Sequence, residues 1–388
     1  MPDRIYLDNA ATSWPKPEAV YHAADHFLRE LGAPAGRGAY REAGESERLL
    51  RDTRSRLAKL LGAAGPERII WTLNGTDALN LALHGLLAGG GHVVTSVAEH
   101  NSVLRPLHAL AETAGVEFDC APVDAEGRVD PDDIRAAIRP DTKLVVLTQA
   151  SNVTGAVQPC AEVGRIAREQ GVLFVVDAAQ SLGRMPVDVG QLSADLVAAP
   201  GHKGLFGPLG TGFLYVGPGV ESQLASVRQG GTGTHSDEDR QPTELPEKYE
   251  SGNLNMAGIA GLHAGLVYLQ ERGIDAIEQH ERALIERLLD GLTAIEGVTL
   301  YGPPADGPRV AVVSFNLAGY DSREVAGMLD SAYSLQCRAG IHCAPRMHGA
   351  LGTLSTGGAV RFSPGLFNTI EQIDTAVAAV AELADSSF

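Results

Sequence analysis

Short apolar runs alternate with segments of helical length through the first 216 residues, and this alternation constrains the fold more than any other feature. The apolar runs lie at 69–73, 92–96, 143–148, 172–176, 195–199 and 211–216. Helical patterns at 78–87, 102–114 and 161–170 separate several of them. Continuous β-branched runs are typical of strands that are buried on both faces. The pattern therefore predicts an α/β fold with a large, mostly parallel sheet covered by helices.

The pattern changes near residue 256. Two long helical segments (257–272 and 275–295) precede a strand at 310–317, a helix at 323–330, a strand at 359–363 and a final helix at 370–384. We therefore expect a large domain over 15–255 and a smaller α+β C-terminal domain over 256–388. The stretch 229–255 is rich in Gly, Thr, Glu and Pro, and we expect it to form a bridge or a border of the active site.

Charge and cysteine spacing exclude several classes of function. The chain has 31 Lys and Arg against 48 Asp and Glu, a net charge of −17, which argues against nonspecific binding to nucleic acid or to an anionic membrane. Its four cysteines form no C-x-x-C pair, so we expect neither a metal site nor a redox motif. The N-terminus lacks the basic and apolar regions of a signal peptide, and we expect a cytoplasmic location.

Lys203 and Asp177 form the most informative pair of polar residues. Lys203 lies in Ala-Pro-Gly-His-Lys-Gly (199–204), and Asp177 closes the apolar run Val-Leu-Phe-Val-Val (172–176). Pyridoxal phosphate (PLP) enzymes need a lysine for the Schiff base and a carboxylate that keeps the pyridinium nitrogen protonated. An Asp at the carboxyl end of a buried strand can supply that charge. The alternative for Lys203 alone is a surface lysine in a glycine-rich turn.

Further polar clusters follow other predicted strands. Gly75 and Thr76 lie in a strand-to-helix turn where backbone N–H groups favour an anion such as phosphate, and Thr76 can cap the helix. His100 follows the strand at 92–96 and could lie over an aromatic ring, while Asn152 follows the strand ending at Thr148 and can touch a ring oxygen or a carboxylate. Each alone could be a plain cap or turn. Together they fall on the sheet edge where ligands bind.

The chain resembles the group II cysteine desulfurases and their class V aminotransferase relatives, which are PLP enzymes of fold type I. The resemblance runs almost end to end. The matching motifs are Tyr-Leu-Asp-Asn-Ala-Ala-Thr (6–12), Asn-Gly-Thr (74–76), Glu-His-Asn (99–101), Ser-Asn-Val-Thr-Gly (151–155), Asp-Ala-Ala-Gln (177–180), Gly-His-Lys (201–203), Glu-Ser-Gly-Asn (250–253), Arg-Ala-Gly-Ile-His-Cys-Ala-Pro (338–345) and Val-Arg-Phe-Ser (360–363).

The resemblance implies a fold with a seven-stranded sheet, an N-terminal segment 1–14 that packs near the active site, and a homodimer. It also implies a role for each matching residue. Those assigned to the cofactor are Lys203 (Schiff base), Asp177 (pyridine nitrogen), Gln180 (phenolic oxygen), His100 (stacking on the ring, with a catalytic part), Asn152 (ring oxygen), and Gly75, Thr76 and His202 (phosphate).

Other residues are assigned to the substrate and to the partner subunit. Asn152, Arg361 and Arg338 would bind substrate, and Arg361 suits a carboxylate because its guanidinium can form two parallel hydrogen bonds. Asn253 would reach the cofactor phosphate of the neighbouring subunit, with the Arg37-Gly38 segment as a second contribution from the partner.

Cys343 decides the reaction that the resemblance implies. In the family this cysteine takes sulfur from L-cysteine as a persulfide and L-alanine is released. Neighbouring Arg338, His342 and Arg346 would favour the reactive thiolate. The segment between Cys343 and Arg361 is short, which predicts a dedicated acceptor protein for the sulfur. We expect Cys120, Cys160 and Cys337 to be core residues, as most free cysteines are.

Two departures from the family pattern concern the phosphate. Pro200 stands where Ser or Thr is common, and proline offers neither hydroxyl nor N–H. Asn253 stands where Thr is common, although Asn can still donate a hydrogen bond.

The alternatives to a cysteine desulfurase are a selenocysteine lyase, another class V enzyme such as an aminotransferase or epimerase, and a non-enzymatic scaffold with this fold.

Overall fold

The structure, a computed structural model, describes residues 4–36, 38–234 and 237–385. Its strands, in chain order, are β1 Ile5–Tyr6, β2 Ile69–Thr72, β3 Gly91–Ser96, β4 Val116–Ala121, β5 Thr142–Thr148, β6 Leu173–Asp177, β7 Leu196–Pro200, β8 Gly212–Val216, β9 Val298–Tyr301, β10 Val313–Leu317, β11 Leu335–Gln336, β12 Arg338–Gly340 and β13 Ala359–Phe362. Its α-helices are α1 Glu18–His26, α2 Arg41–Leu60, α3 Gly75–Leu87, α4 Asn101–Ala114, α5 Pro131–Ala137, α6 Cys160–Glu169, α7 Met256–Arg272, α8 Ile274–Thr293, α9 Ser322–Tyr333, α10 Pro345–Ala350 and α11 Ile370–Asp385.

Seven strands form the central sheet in the order β2-β8-β7-β6-β5-β3-β4. Only β8 runs antiparallel to its neighbours, β2 and β7, and every other adjacent pair is parallel. The seven-stranded, mostly parallel sheet predicted from the sequence is therefore confirmed. Because β2, β3, β5, β6 and β7 all point the same way, their carboxyl ends share one edge of the sheet.

Helices cover both faces of this sheet. Along β5, Val145 and Leu147 pack in a core cluster that includes side chains of α2, α6 and α7. Leu144 and Val146 pack in a second cluster with α3 and α4. Successive strand residues point to opposite faces, so burial on both faces explains the continuous apolar runs.

A second sheet lies in the C-terminal part of the chain. Its strands are antiparallel in the order β12-β13-β10-β9, and α8, α9 and α11 contribute to the core beside it. The N-terminal strand β1 pairs in parallel with β11, and Ile5 and Leu7 are buried in this same core. The start of the chain is thereby held against its C-terminal part.

The side chains of α7 pack with the large sheet, although this helix follows residue 256. Ile259, Leu262 and Leu266 belong to the core of the central sheet, as does Ile277 of α8. From Leu284 onward, α8 packs in the C-terminal core. The packing therefore changes within α8, while the division into domains at residue 256 stays a prediction.

Candidate active site

Polar side chains from five parallel strand ends converge on one cavity of about 230 Å³. The strands are β2, β3, β5, β6 and β7, and the cavity lies beyond their carboxyl ends. Eight of the residues predicted for the site line it: Gly75, Thr76, His100, Asn152, Asp177, Gln180, His202 and Lys203. Strand direction explains this convergence, since side chains far apart in sequence leave the sheet at the same edge.

The first turn of α3 forms one corner of the cavity. Asn74, not Thr76, caps the helix, and its side-chain oxygen accepts a hydrogen bond from the N–H of Asp77 at 2.9 Å. The expectation for Thr76 was wrong because Thr76 lies inside the helix, where its hydroxyl instead bonds Ser102 at 2.7 Å. A Cβ on Gly75 would lie 3.2 Å from Cδ of Pro200, so Gly75 allows the close approach of α3 and β7.

Asp177 and Lys203 lie in the floor of the cavity. Asp177 is 3% exposed, and its Oδ1 accepts a hydrogen bond from the N–H of Ala179 at 2.9 Å. Burial raises the pKa of Asp177, while the Ala179 N–H and the Lys203 charge oppose that rise. Burial lowers the pKa of Lys203 to about 8, with Asp177 opposing the effect. The amine is therefore far more readily neutral than that of an exposed lysine.

His100 presents a neutral ring to the cavity. Its Nδ1 accepts a hydrogen bond from the backbone N–H of Ser102 at 3.0 Å, which places the ring proton on Nε2. Burial, together with Lys203 and nearby arginines, lowers the pKa of His100 to about 4. A neutral imidazole suits stacking on an aromatic ring. The same bond caps α4, so the alternative of a plain cap also describes His100.

Two buried polar atoms in the cavity wall lack a protein partner in the described part of the chain. They are Oε1 of Gln180 and Nδ1 of His202. Gln180 donates from Nε2 to the carbonyl of Ala10 at 2.9 Å, which holds its amide in place. Burial lowers the pKa of His202 to about 4, so its ring is neutral. Because buried polar atoms are rarely left unpaired, this wall fits an occupant with polar oxygens such as PLP.

Arg361 lies behind this cavity and does not line it. The side chain is 1% exposed, its Nη2 lies 2.5 Å from Oδ1 of Asp8, and its Nη1 donates to the carbonyl of Asn152 at 3.0 Å. Asp8 therefore already pairs with the guanidinium predicted to bind a substrate carboxylate. The motif at 6–12 contains Asp8, but no role was predicted for this residue.

Cys343 also lies outside the cavity lining, and its loop is tied to the cavity wall. The backbone N–H of Asn101 donates to the carbonyl of Cys343 at 2.7 Å, and Nδ2 of Asn152 donates to the carbonyl of His342 at 2.6 Å. Nη2 of Arg338 lies 3.6 Å from Sγ of Cys343. Arg338 thus contacts the cysteine rather than the cavity.

The other three cysteines are poor nucleophiles. Burial raises the pKa of Cys120 to about 11 and that of Cys337 to about 12. Cys160 is buried, and its pKa is raised well above that of a free thiol. Cys337 is half-buried and packs against the C-terminal core, so the expectation of a core residue is confirmed for Cys160, holds in part for Cys337 and is wrong for Cys120.

Asn253 does not line the Lys203 cavity. It lines a larger cavity of about 430 Å³, together with Leu254 and Met256, and a smaller neighbouring one. A contribution to the partner's phosphate site therefore stays a prediction. Arg37 lies outside the described residues.

Two negative findings apply to the described residues. No group of three or more His, Cys, Asp or Glu side chains is placed to hold a metal ion. None of the helices described is long and apolar enough to cross a bilayer.

The fold and the Lys203 cavity together define a class: α/β proteins that bind a ligand beyond the carboxyl ends of parallel strands, next to a buried lysine. More specifically, the chain belongs to the aminotransferase class-V family, whose model matches residues 5–376.

Several relatives and solved structures resemble the chain over nearly its full length. A probable cysteine desulfurase from Methanothermobacter thermautotrophicus is 39% identical over 98% of this chain and 95% of its own. The apo structure of a cysteine desulfurase from Thermococcus onnurineus is 35% identical, covers 99% of this chain and 95% of its own, and has a TM-score of 0.93. The cysteine desulfurase CsdA from Escherichia coli is 30% identical, with the same coverage and a TM-score of 0.89.

Proposed function

We propose that the protein is a PLP-dependent cysteine desulfurase, which converts L-cysteine to L-alanine and transfers the sulfur to Cys343. The observation that carries this proposal is the position of Asn152. Asn152 lines the Lys203 cavity, and its side-chain amide donates a hydrogen bond to the carbonyl of His342, the residue before Cys343, at 2.6 Å. One side chain thus connects a cavity suited to PLP with the loop of Cys343, whose Sγ lies 3.6 Å from Nη2 of Arg338. The named relatives support the same assignment.

Different cavity residues would bind different parts of PLP. Lys203 would join the aldehyde, Asp177 would pair with the ring nitrogen, and Gln180 would meet the phenolic oxygen. The start of α3 and His202 would hold the phosphate, where Pro200 leaves the site without one hydroxyl donor. When bound, PLP supplies an electron sink for the carbon atoms of the substrate.

Lys203 is placed to accept and return protons in the cavity, and His100 lines the same cavity. A pKa of about 8 leaves a useful fraction of Lys203 amines neutral near physiological pH, so the group can both accept and return a proton. Asp177, a buried carboxylate with one backbone donor, would stabilise positive charge at the ring nitrogen of bound PLP. His100 stays neutral, so it adds no charge that would compete with Lys203.

Cys343 performs the sulfur transfer. Its thiolate attacks the sulfur of the substrate, an S–S bond forms as the C–S bond breaks, and the released carbon takes up a proton to become the methyl group of alanine. Nη2 of Arg338, 3.6 Å from Sγ, places a positive charge beside the attacking sulfur. The resulting persulfide passes to an acceptor protein. We further propose that the enzyme works in the cytoplasm as a homodimer.

The test is Cys343→Ser in PLP-loaded protein. The variant should keep its cofactor absorbance and still change that absorbance on addition of cysteine, because Lys203 and Asp177 are intact. It should form alanine from cysteine at least about 100-fold more slowly, since a hydroxyl stays protonated and attacks sulfur poorly. Mass spectrometry of the wild type should find one added sulfur on the peptide that contains Cys343.

The matched control is Cys120→Ser, another partly exposed cysteine whose raised pKa makes it a poor nucleophile. It should form alanine at the wild-type rate. Full desulfuration of cysteine by Cys343→Ser would overturn the assignment. Selenocysteine should be assayed in parallel, because release of selenium from selenocysteine in the variant separates selenocysteine lyase activity from sulfur transfer.

A further inference from the structure

The loop that carries Cys343 has an unusual backbone. His342 has a φ of 51° and Cys343 a φ of 59°, so two consecutive non-glycine residues adopt the left-handed conformation. Residues other than glycine rarely adopt this backbone conformation, and they keep it only where contacts with the surrounding structure hold them in it. The position of Sγ therefore depends on whatever holds these two residues.

Backbone tethers account for part of that restraint. Asn101 and Asn152 donate to the carbonyls of Cys343 and His342, and the N–H of Ala344 closes a turn onto the carbonyl of Ile341 at 2.9 Å. These bonds fix the main chain on the side that faces the cavity. They leave the side chain of His342, which is buried, to other contacts.

A buried chain of hydrogen bonds holds the side chain of His342. Nδ1 of His342 lies 3.2 Å from Nε2 of His348, and Nδ1 of His348 lies 2.7 Å from Oγ1 of Thr353. The three side chains are 2%, 0% and 1% exposed. None of the three lines the Lys203 cavity. The chain therefore supports the loop from behind.

The support is directional rather than ionic. Burial lowers the pKa of His348 to about 4 and that of His342 to about 2, so both rings are neutral. A neutral pair of imidazoles adds no charge next to Cys343, but its two hydrogen bonds fix the ring plane of His342. His348 follows Cys343 by five residues and sits in α10, so it connects the loop to the helix that follows.

We propose that His348 is a positioning residue for sulfur transfer: held by Thr353, it orients His342 and thereby keeps Sγ of Cys343 in the place from which it accepts sulfur. This inference rests on the proposed function and adds a residue to it. His348 contacts neither substrate nor cofactor. Its effect passes through the backbone of His342 and Cys343.

The test compares three variants of PLP-loaded protein with a control. His348→Leu removes both hydrogen bonds at similar volume, Thr353→Val removes the hydroxyl, and Thr353→Ser keeps it. Thr142→Val is the matched control, because Oγ1 of Thr142 bonds the buried ring of His92 at 2.8 Å near the amino ends of β3 and β5, away from Cys343.

His348→Leu and Thr353→Val should form the Cys343 persulfide on the order of tenfold more slowly in a single turnover, because a small displacement of a reacting atom has effects of this size. The concentration of L-cysteine that gives half of the maximal change in cofactor absorbance should stay the same, because these substitutions do not alter the substrate-binding residues. Hydrogen exchange in the peptide 338–347 should be about tenfold faster. Thr353→Ser and Thr142→Val should behave as wild type in all three measurements.

The outcomes separate the inference from the function on which it rests. If wild-type protein forms no persulfide, the proposed function fails, and hydrogen exchange alone then tests whether His348 holds the loop. If the variants melt at lower temperature yet transfer sulfur and exchange at the wild-type rates, His348 has only a structural role and the proposal is wrong. If His348→Leu does not fold, the comparison of Thr353→Val with Thr353→Ser tests the proposal. Equal rates of persulfide formation in these two variants would then contradict it.

Discussion

Lys203 lies among three arginines and one carboxylate, and its protonation is the central property of the site. Burial lowers its pKa to about 8, Asp177 raises it, and Arg361, Arg184 and Arg338 lower it. We expect apoprotein to react with PLP at a rate that rises with pH and is half-maximal near pH 8, because only the neutral amine attacks an aldehyde. Stopped-flow absorbance measures this rate. For a lysine of ordinary pKa, about 0.3% of the amines would be neutral at pH 8.

Asp177→Asn provides a second prediction at the same scale, with two parts. The carboxylate raises the pKa of Lys203, so its removal should move the midpoint of PLP capture below that of the wild type. The same change should slow alanine formation on the order of 100-fold, because a neutral amide stabilises less positive charge at the ring nitrogen.

The control is Asp195→Asn. Asp195 accepts a hydrogen bond from the N–H of Phe174 at 2.8 Å, as Asp177 does from Ala179, and it does not line the cavity. It should leave both the midpoint and the rate of alanine formation unchanged. Wild-type turnover by Asp177→Asn would show that another group stabilises the cofactor ring.

At the residue scale, sequence reasoning succeeded where a motif fixed both a residue type and a strand end. Lys203, Asp177 and Asn152 follow strands, so their meeting in one cavity follows from strand direction. Asp8 and His348 could not be predicted, since their roles depend on partners far along the chain or on a loop with left-handed backbone.

At the scale of elements, a buried ion pair closes one edge of the central sheet. Strand β2 is an edge strand, and Oε1 of Glu250 accepts its Trp71 N–H at 2.6 Å. Arg54 of α2 pairs with Glu250 at 2.5 Å and donates to the carbonyl of Ile69. The side chains of Arg54 and Glu250 are 9% and 10% exposed. The pair therefore satisfies backbone groups that an edge strand would otherwise leave open.

Glu250→Ala should lower the free energy of unfolding by about 3–5 kcal/mol, because it leaves the Arg54 charge buried without a partner. Glu250→Gln should cost less, since its amide oxygen can still accept the Trp71 N–H. Urea titration followed by circular dichroism measures both. Glu169→Ala removes an exposed partner of Arg135 and should leave the urea midpoint unchanged. Equal midpoints for Glu250→Ala and wild type would show that water replaces the lost contacts.

The elements that sequence reasoning missed carry weak or mixed patterns. Helix α2 was not predicted, since its buried residues include Ser46, Thr53 and Arg54, which do not form an apolar stripe. Strand β4 lies at the other edge of the sheet and alternates buried with exposed residues, unlike the continuous runs of the central strands. The strand expected at 310–317 begins only at Val313, because Val310 bonds the loop at Gly155 instead.

At the scale of the whole molecule, exposed apolar side chains surround the mouth of the site. Leu209 lines the Lys203 cavity and is 66% exposed, and Leu73, which lines the neighbouring cavity with Asn253, is 55% exposed. Gly210 lines both cavities, so the two are adjacent. Exposed leucines beside a polar site are typical of a surface that another chain covers, which supports the predicted homodimer.

Mixed dimers test whether Asn253 acts in the partner's site. Two differently tagged chains, Lys203→Ala and Asn253→Ala, should each give dimers of low activity. In a purified mixed dimer, one site combines Lys203 of the Asn253→Ala chain with Asn253 of the Lys203→Ala chain and should be intact. We therefore expect about half of the wild-type rate of alanine formation, since one of two equivalent sites works. If Asn253 served its own chain, no intact site would form, and the mixed dimer would be no more active than the average of its two parents.

Leu209→Glu should separate the subunits, as measured by light scattering, and abolish the recovered activity of the mixed dimer. Leu28→Glu should preserve that activity, because Leu28 is 70% exposed and lines neither cavity.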